Sequence, residues 1–284
     1  MRNFQRTINF EGSITGFGLH TGKKSTLNFK PAVINHGIKF ERIDLEGSPT
    51  IEADADNVIA VERGATLSQN NASISTVEHL LAAIVGLQID NILIQTDGEE
   101  IPILDGSSKE FIKCLEKCKI KTQDAARNYI EISEKISFND EDNNVEISIY
   151  PHNDYRVTCM VDYNSNVLGS QNFTLNKISN FKKDISEART FCFLHEIEEL
   201  YNKNLIKGGD LNNAIVIVDK LIEDKKLKEI SSLFGKDNIK INKEGILNNV
   251  KLKYQNEPAR HKLLDIVGDL ALVGRPIKGH VIAA

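Results

Sequence analysis

The chain has 284 residues, 40% of them apolar, and a formal charge of −5 at pH 7. That length exceeds the roughly 100–200 residues usual for one domain and points to two. The acidic balance gives no electrostatic reason to expect nucleic-acid binding, and the longest apolar runs, Leu80 to Val85 and Ala214 to Val218, are far too short to span a bilayer.

The N-terminus, Met1 to Phe10, has no continuous apolar stretch and is not a signal peptide, so a cytoplasmic protein is expected. From Thr7 to about Phe40 apolar and polar residues alternate as in half-buried strands, with Gly12, Gly16, Gly18 and Gly22 marking tight turns. Ser75-Thr76-Val77-Glu78 has the form of a capping box and predicts a helix, which Gly86 would stop in the left-handed cap conformation. A strand is expected at Ile89 to Gln95 and a helix from about Ser107 to Cys118. On that helix Cys114 and Cys118 have the i, i+4 spacing of paired metal ligands, but with Leu115 they read better as small apolar residues. Four cysteines (Cys114, Cys118, Cys159, Cys192) and no CxxC remove zinc ribbons and thioredoxin-like motifs.

Lys119 to Asn128 is polar and patternless, and the boundary between two domains, 1–123 and 124–284, is placed there. Strands near Ile130, at Val145 to Tyr150 and at Tyr155 to Val161 open the second half. Helices are predicted at Leu194 to Asn204 and Pro258 to Leu272, and a strand at Lys278 to Ala283. The lysine-rich stretch between Lys220 and Asn249, with helical character around Leu227 to Phe234, reads as a surface insertion without chemistry. Both halves run from strands to helices and back to a strand, which predicts an α+β fold of two layers of similar design.

The chemistry-bearing residues are His261 and Asp265, four apart and therefore on one helix face. A His/Asp pair at that spacing can give one nitrogen and one oxygen to a metal ion, although it also occurs on helices that bind none. His79 could complete a three-ligand site with the open fourth position that catalytic zinc needs. Glu78, beside that histidine, is the candidate general base. Short zinc-protease patterns are absent: His195-Glu196 lacks the second histidine of HExxH, and Ser75 stands at the first position of HxxEH.

Longer words accompany these residues. They are Gly18-Leu19-His20-Thr21-Gly22, Ser75 to Ala83, Glu100-Ile101-Pro102-Ile103-Leu104-Asp105-Gly106-Ser107, Ser186-Glu187-Ala188-Arg189-Thr190-Phe191, Lys207 to Ala214, and Glu257 to Asp265 continuing into Gly268-Asp269-Leu270. In this order, from about Thr7 to the last residue, they resemble the zinc-dependent UDP-3-O-acyl-N-acetylglucosamine deacetylases of lipid A biosynthesis. The resemblance implies two similar domains, each a sheet layered against two helices, with the active site between them. It implies hydrolysis of the N-acetyl group of UDP-3-O-(3-hydroxyacyl)-N-acetylglucosamine to the free amine and acetate.

By the same resemblance His79, His261 and Asp265 hold Zn2+, for which Fe2+ could substitute, and Glu78 is the base. Thr190 would stabilise the oxyanion, whereas from the residues alone it reads as a buried threonine at a strand end. Lys262 would lie near the substrate, whereas its helix position alone, about 100° from His261, reads as a solvated lysine. Asp269 would orient a charged group in proton transfer, or be a solvated aspartate. Phe191 would contact sugar or lipid, or be core. Gly209, in a glycine pair that could simply mark a turn, and His20 would face the nucleotide-sugar substrate. An apolar passage for the acyl chain is expected between Phe191 and Ile206, and transient contact with a membrane surface would be compatible with such a lipid.

One departure is expected to matter. The family's second catalytic histidine, in a Gly-His word, would fall past Ala284, and His280 lies too early to take its role. A general acid or base contributes about 10²–10⁴ in rate. The sequence therefore reads as a fragment shortened at its C-terminus, as from a fusion with a hydroxyacyl carrier-protein dehydratase, or as a module that binds zinc and the nucleotide-sugar lipid without turnover.

Overall fold

Period-two alternation builds the first half, as seen in a computed structural model that describes residues 3–62, 64–197, 207–210, 213–220, 227–228, 231–232, 239–243, 245–247 and 250–284. Strand β1 (Phe4–Ile8) is followed by β2 (Gly12–Phe17), β3 (Lys24–Pro31), β4 (Ile38–Arg42) and β5 (Thr50–Glu52). In β3, Ser25, Leu27 and Phe29 are buried while Thr26, Asn28 and Lys30 take the other face. With β9 (Ile92–Thr96), four of these strands form a sheet of order β2-β3-β9-β4-β5. Short strands β6 (Val58–Ala60), β7 (Thr66–Gln69) and β8 (Ala72–Ser75) form a meander beside it.

Helix α1 (Glu78–Gly86) is apolar nearly all round, and every residue but Val85 is buried, as befits an interior helix. Helix α2 (Lys109–Lys117) buries the stripe Phe111, Ile112 and Leu115 against β2 and α1. The chain then returns through β10 (Ile120–Ala126), antiparallel to β1 from Ile8↔Ile120 to Phe4↔Ala126. The polar segment expected to be patternless is thus a strand, its polar side chains tolerated because it pairs at the surface.

The second half contains β11 (Ile130–Glu131), β12 (Ile136–Asp140), β13 (Val145–Tyr150), β14 (Tyr155–Asp162), β15 (Ser170–Leu175) and β18 (Ile277–Ala283). Their order is β12-β13-β18-β14-β15, with β18 antiparallel to β13, parallel to β14 and flanked by β11. Short helix α3 (Phe181–Asp184) precedes the parallel pair β16 (Phe191–Phe193) and β17 (Ile215–Ile217). Helix α4 (Glu257–Asp269) lies on β14 and β15 with one face and on α1 with another, burying Leu263, Leu264 and Val267. The fold is mixed α+β, as expected, and no helix among the described residues is long and apolar enough to cross a membrane.

Several local expectations change. Val77, not Ser75, caps α1, and no side chain bonds to its end; Ser75 Oγ donates to Glu99 O instead. Gly86 ends α1 without turning left-handed, a role taken by Gln88 at φ 56. Gly12 and Gly16 lie inside β2 rather than in turns. The strand expected from Ile89 begins at Ile92, and the helix expected to reach Leu272 gives way at Leu270 to a 3₁₀ turn. Most of the predicted helix at 194–204, of the passage to Ile206 and of the insertion at 220–249 lies outside the described residues.

Candidate metal centre

The site is made where α1 crosses α4. Glu78 and His79 open α1, and α4 presents His261 and Asp265 from successive turns. One ligand atom from each of His79, His261 and Asp265 lies within 4.8 Å of the others. Asp265 Oδ1 stands 3.5 Å from His79 Nε2 and 3.3 Å from His261 Nε2. Bonds of about 2.0–2.1 Å to a tetrahedral zinc would separate neighbouring ligand atoms by about 3.4 Å. The helices come this close because residue 268 is glycine: a Cβ there would lie 2.8 Å from Glu78 C and 3.0 Å from Glu78 Cα.

The donor set fits a cation. His261 Nδ1 lies 3.1 Å from Ala188 O, so it carries the proton and donates, leaving an Nε2 lone pair facing Asp265. Asp265 Oδ1 is buried and has no hydrogen-bond donor. Two lone pairs meeting at 3.3 Å repel unless a positive ion lies between them. The third donor, His79, is held by its own helix turn, whose carbonyl accepts from Ser108 Oγ at 2.8 Å.

Burial pushes the His261 imidazole down to about 4, more than the Asp265 charge opposes. For His79 burial acts in the same sense, but the Asp265 carboxylate outweighs it and shifts the group up. Burial alone would raise Asp265; the charges of His261 and Lys262 hold it well below the usual carboxylate range. Glu78 is raised, mainly by burial and further by Asp265, and its Oε2 accepts from Ala65 N at 3.1 Å. Asp269 opens onto the cavity, yet protein on its other sides and the charges of Asp265 and Glu78 push its carboxyl up to about 7.

A cavity of about 560 Å³ opens over these groups, and all ten predicted site residues line it: His20, Glu78, His79, Thr190, Phe191, Gly209, His261, Lys262, Asp265 and Asp269. Leu19, Val58, Val61, Ile103, Val216 and Leu272 give it apolar walls. Lys262 is not simply solvated: its Nζ donates to Asp265 Oδ2 at 3.0 Å and lies 5.9 Å from the Phe191 ring centre, with Asp265 holding the ammonium above its usual value. Thr190 sits just before β16, its N donating to Gly106 O and its O accepting from Ile215 N. His280 does not line this cavity, and its Nε2 pairs with Thr158 Oγ1 at 2.9 Å.

Two supports went unassigned in the sequence. Arg189 Nε donates to Glu257 Oε1 at 2.8 Å, and Arg189 Nη2 reaches Oε2 at 3.2 Å, within the interior. This pair ties the segment before Thr190 to the start of α4, four residues ahead of His261. Glu100, 2% exposed, sits behind the 18–22 loop.

The fold and these residues together define an α+β protein whose His79, His261 and Asp265 could hold a metal ion beside a buried carboxylate. The family described as UDP-3-O-acyl N-acetylglycosamine deacetylase matches residues 5–231 and 231–284, and the chain belongs to that family. It is 45% identical to the bifunctional enzyme LpxC/FabZ of Chlorobaculum tepidum, covering 98% of this chain, and 44% identical to its counterpart in Bacteroides thetaiotaomicron. The chain spans 60% of the length of these bifunctional relatives. It is 36% identical to the UDP-3-O-acyl-N-acetylglucosamine deacetylase of Myxococcus xanthus, spanning 81% of that protein.

Proposed function

We propose that the chain hydrolyses the N-acetyl group of a UDP-linked, 3-O-acylated N-acetylglucosamine, with Zn2+ held by His79, His261 and Asp265. The observation that carries this reading is the donorless Asp265 Oδ1 facing two imidazole nitrogens beside Glu78, in a member of this family. A zinc ion bound there lowers the pKa of water from about 15.7 to about 7 and polarises a carbonyl.

The protein's own groups do the rest. Glu78, steadied by Ala65 N and made more basic by burial, takes the proton of the attacking water. The Thr190 hydroxyl donates to the developing oxyanion, its backbone fixed between Gly106 and Ile215. Lys262 supplies positive charge at the cavity wall, and Asp269 orients the groups between which protons move. Phe191 and the apolar walls exclude water and receive the acyl chain, while His20 and Gly209 face the nucleotide-sugar end. Four free thiols suit a cytoplasmic site of action.

The test is acetate release from the UDP-linked substrate by the purified chain with equimolar zinc. Glu78→Gln should retain one zinc per chain and lose about 10²–10⁴ in kcat. An inactive wild-type chain sinks the reading, and an undiminished variant removes Glu78 as base. Metal analysis of protein purified without added metal separates zinc from iron(II).

A further inference from the structure

We propose that Glu100 is a positioning residue for substrate, holding the 18–22 loop so that Leu19 and His20 form one wall of the cavity. The proposal rests on the deacetylase reading above. Glu100 touches neither the metal donors nor Glu78. Its Oε1 accepts from His20 N at 2.8 Å, and its Oε2 accepts from Thr21 N at 2.8 Å and Thr21 Oγ1 at 2.7 Å. Thr76 Oγ1 adds a longer bond to Oε1 at 3.3 Å. Thr76 has a left-handed backbone, φ 59, and lies two residues before Glu78. One carboxylate therefore grips both the substrate-side loop and the turn that leads into α1.

The loop is shaped around that carboxylate. A Cβ at Gly18 would lie 2.6 Å from Glu100 Cδ, so only glycine lets the loop close over it. On the far side Gly208 N donates to Leu19 O at 3.0 Å, which clamps the loop to the segment carrying Gly209. The neighbouring cation Lys23 pairs with Glu99, leaving Glu100 to be satisfied by amides and hydroxyls. Burying a carboxylate is costly unless its oxygens are matched by donors. An apolar residue would fill this space at less cost but could not fix two consecutive amides in direction, which is the property the cavity wall uses.

The experiment compares the zinc-loaded chain with Glu100→Gln, which keeps the shape but turns an NH2 group toward N–H donors. KM for the UDP-linked substrate should rise about ten- to hundredfold, the loss expected for charged hydrogen bonds, with zinc content unchanged and kcat changed much less. Amide exchange should accelerate at His20 and Thr21 and not in α1 or α4. If Glu100→Gln folds poorly, Thr21→Val should raise KM by a smaller factor and Thr21→Ser should restore it. Wild-type KM in Glu100→Gln, or a fall confined to kcat and zinc content, overturns the proposal. A wild-type chain that binds the substrate but releases no acetate refutes the deacetylase reading alone, and calorimetric affinities of the two proteins then decide: equal affinity, or no binding by either, overturns the role of Glu100.

Discussion

Replacing Gly268 by alanine perturbs the helix contact on which the metal centre depends. The new methyl group would collide with the Glu78 carbonyl oxygen and sit 2.8 Å from Glu78 C, so α1 and α4 must part by more than the roughly 0.6 Å that would restore an ordinary contact to the carbon alone. His261 and Asp265 share α4 and keep their 3.3 Å spacing; the displacement falls on the 3.5 Å edge between His79 and Asp265. Alanine gains about 0.8–1 kcal/mol of helix propensity over glycine, while overpacking costs about 1–3 kcal/mol. The overpacking outweighs the propensity gain, so the metal-free variant should still fold but with a lowered Tm. Zinc affinity carries the signal, because a site tuned to bonds of about 2.0–2.1 Å cannot keep three of them when one ligand retreats. Competition against a chromophoric chelator should show zinc binding at least tenfold weaker, a loss of about 1.4 kcal/mol, and zinc should raise the variant's Tm less than it raises the wild type's. Equal zinc affinity in the two proteins would refute the argument that this contact sets the site.

Three further outcomes are expected. Glu257→Gln leaves the Arg189 guanidinium buried without its charge partner, at a cost of about 3–5 kcal/mol, which thermal unfolding should register as a Tm lower by roughly 6–15 °C; an unchanged Tm rejects the pair as a structural tie. In the metal-free protein Asp269 titrates near 7, above the usual 3.8, so its contribution to stability is present below about pH 4 and lost as pH rises through 7. Asp269→Asn should therefore gain stability relative to wild type between pH 4 and 7 and run parallel above it in urea denaturation, whereas a difference independent of pH contradicts the shift. Burial pushes the Cys114 thiol up to about 11, so at pH 8 it should be alkylated far more slowly than a free cysteine, and rapid labelling by mass spectrometry would show otherwise.

The spacing of His261 and Asp265 was readable because a helix turns a four-residue interval into a shared face, and α4 is a regular helix there. His79 and Glu78 could be placed on a helix but not beside α4, since nothing local in a sequence states which helices cross. Lys262 shows the limit of helical-wheel reasoning: it does point away from His261, yet a long side chain folds back to Asp265 one turn on. The capping box failed because Ser75 and Thr76 found partners in Glu99 and Glu100, more than twenty positions away. Glu100 and the Arg189–Glu257 pair stood inside the longer words without a role, because their partners lie in distant segments: Glu100 accepts from His20 N and Thr21 N, while Arg189 donates to Glu257 and to Lys251 O. Gly86 was correctly seen as an end of α1, but for a turn it does not make: a side chain there would strike the Phe181 ring.

The central place of β18 bears on how the protein reaches its native state. Its neighbours β13 and β14 lie more than roughly a hundred positions earlier in the chain, so each pairing closes a very long loop. Contacts of such high order form slowly. Until Ile277–Ala283 docks, β13 and β14 present open edges side by side with no strand between them, the geometry that invites pairing with another chain. Refolding yield should thus be a race between intramolecular insertion of one seven-residue strand and capture by a neighbour, won at low protein concentration and lost at high.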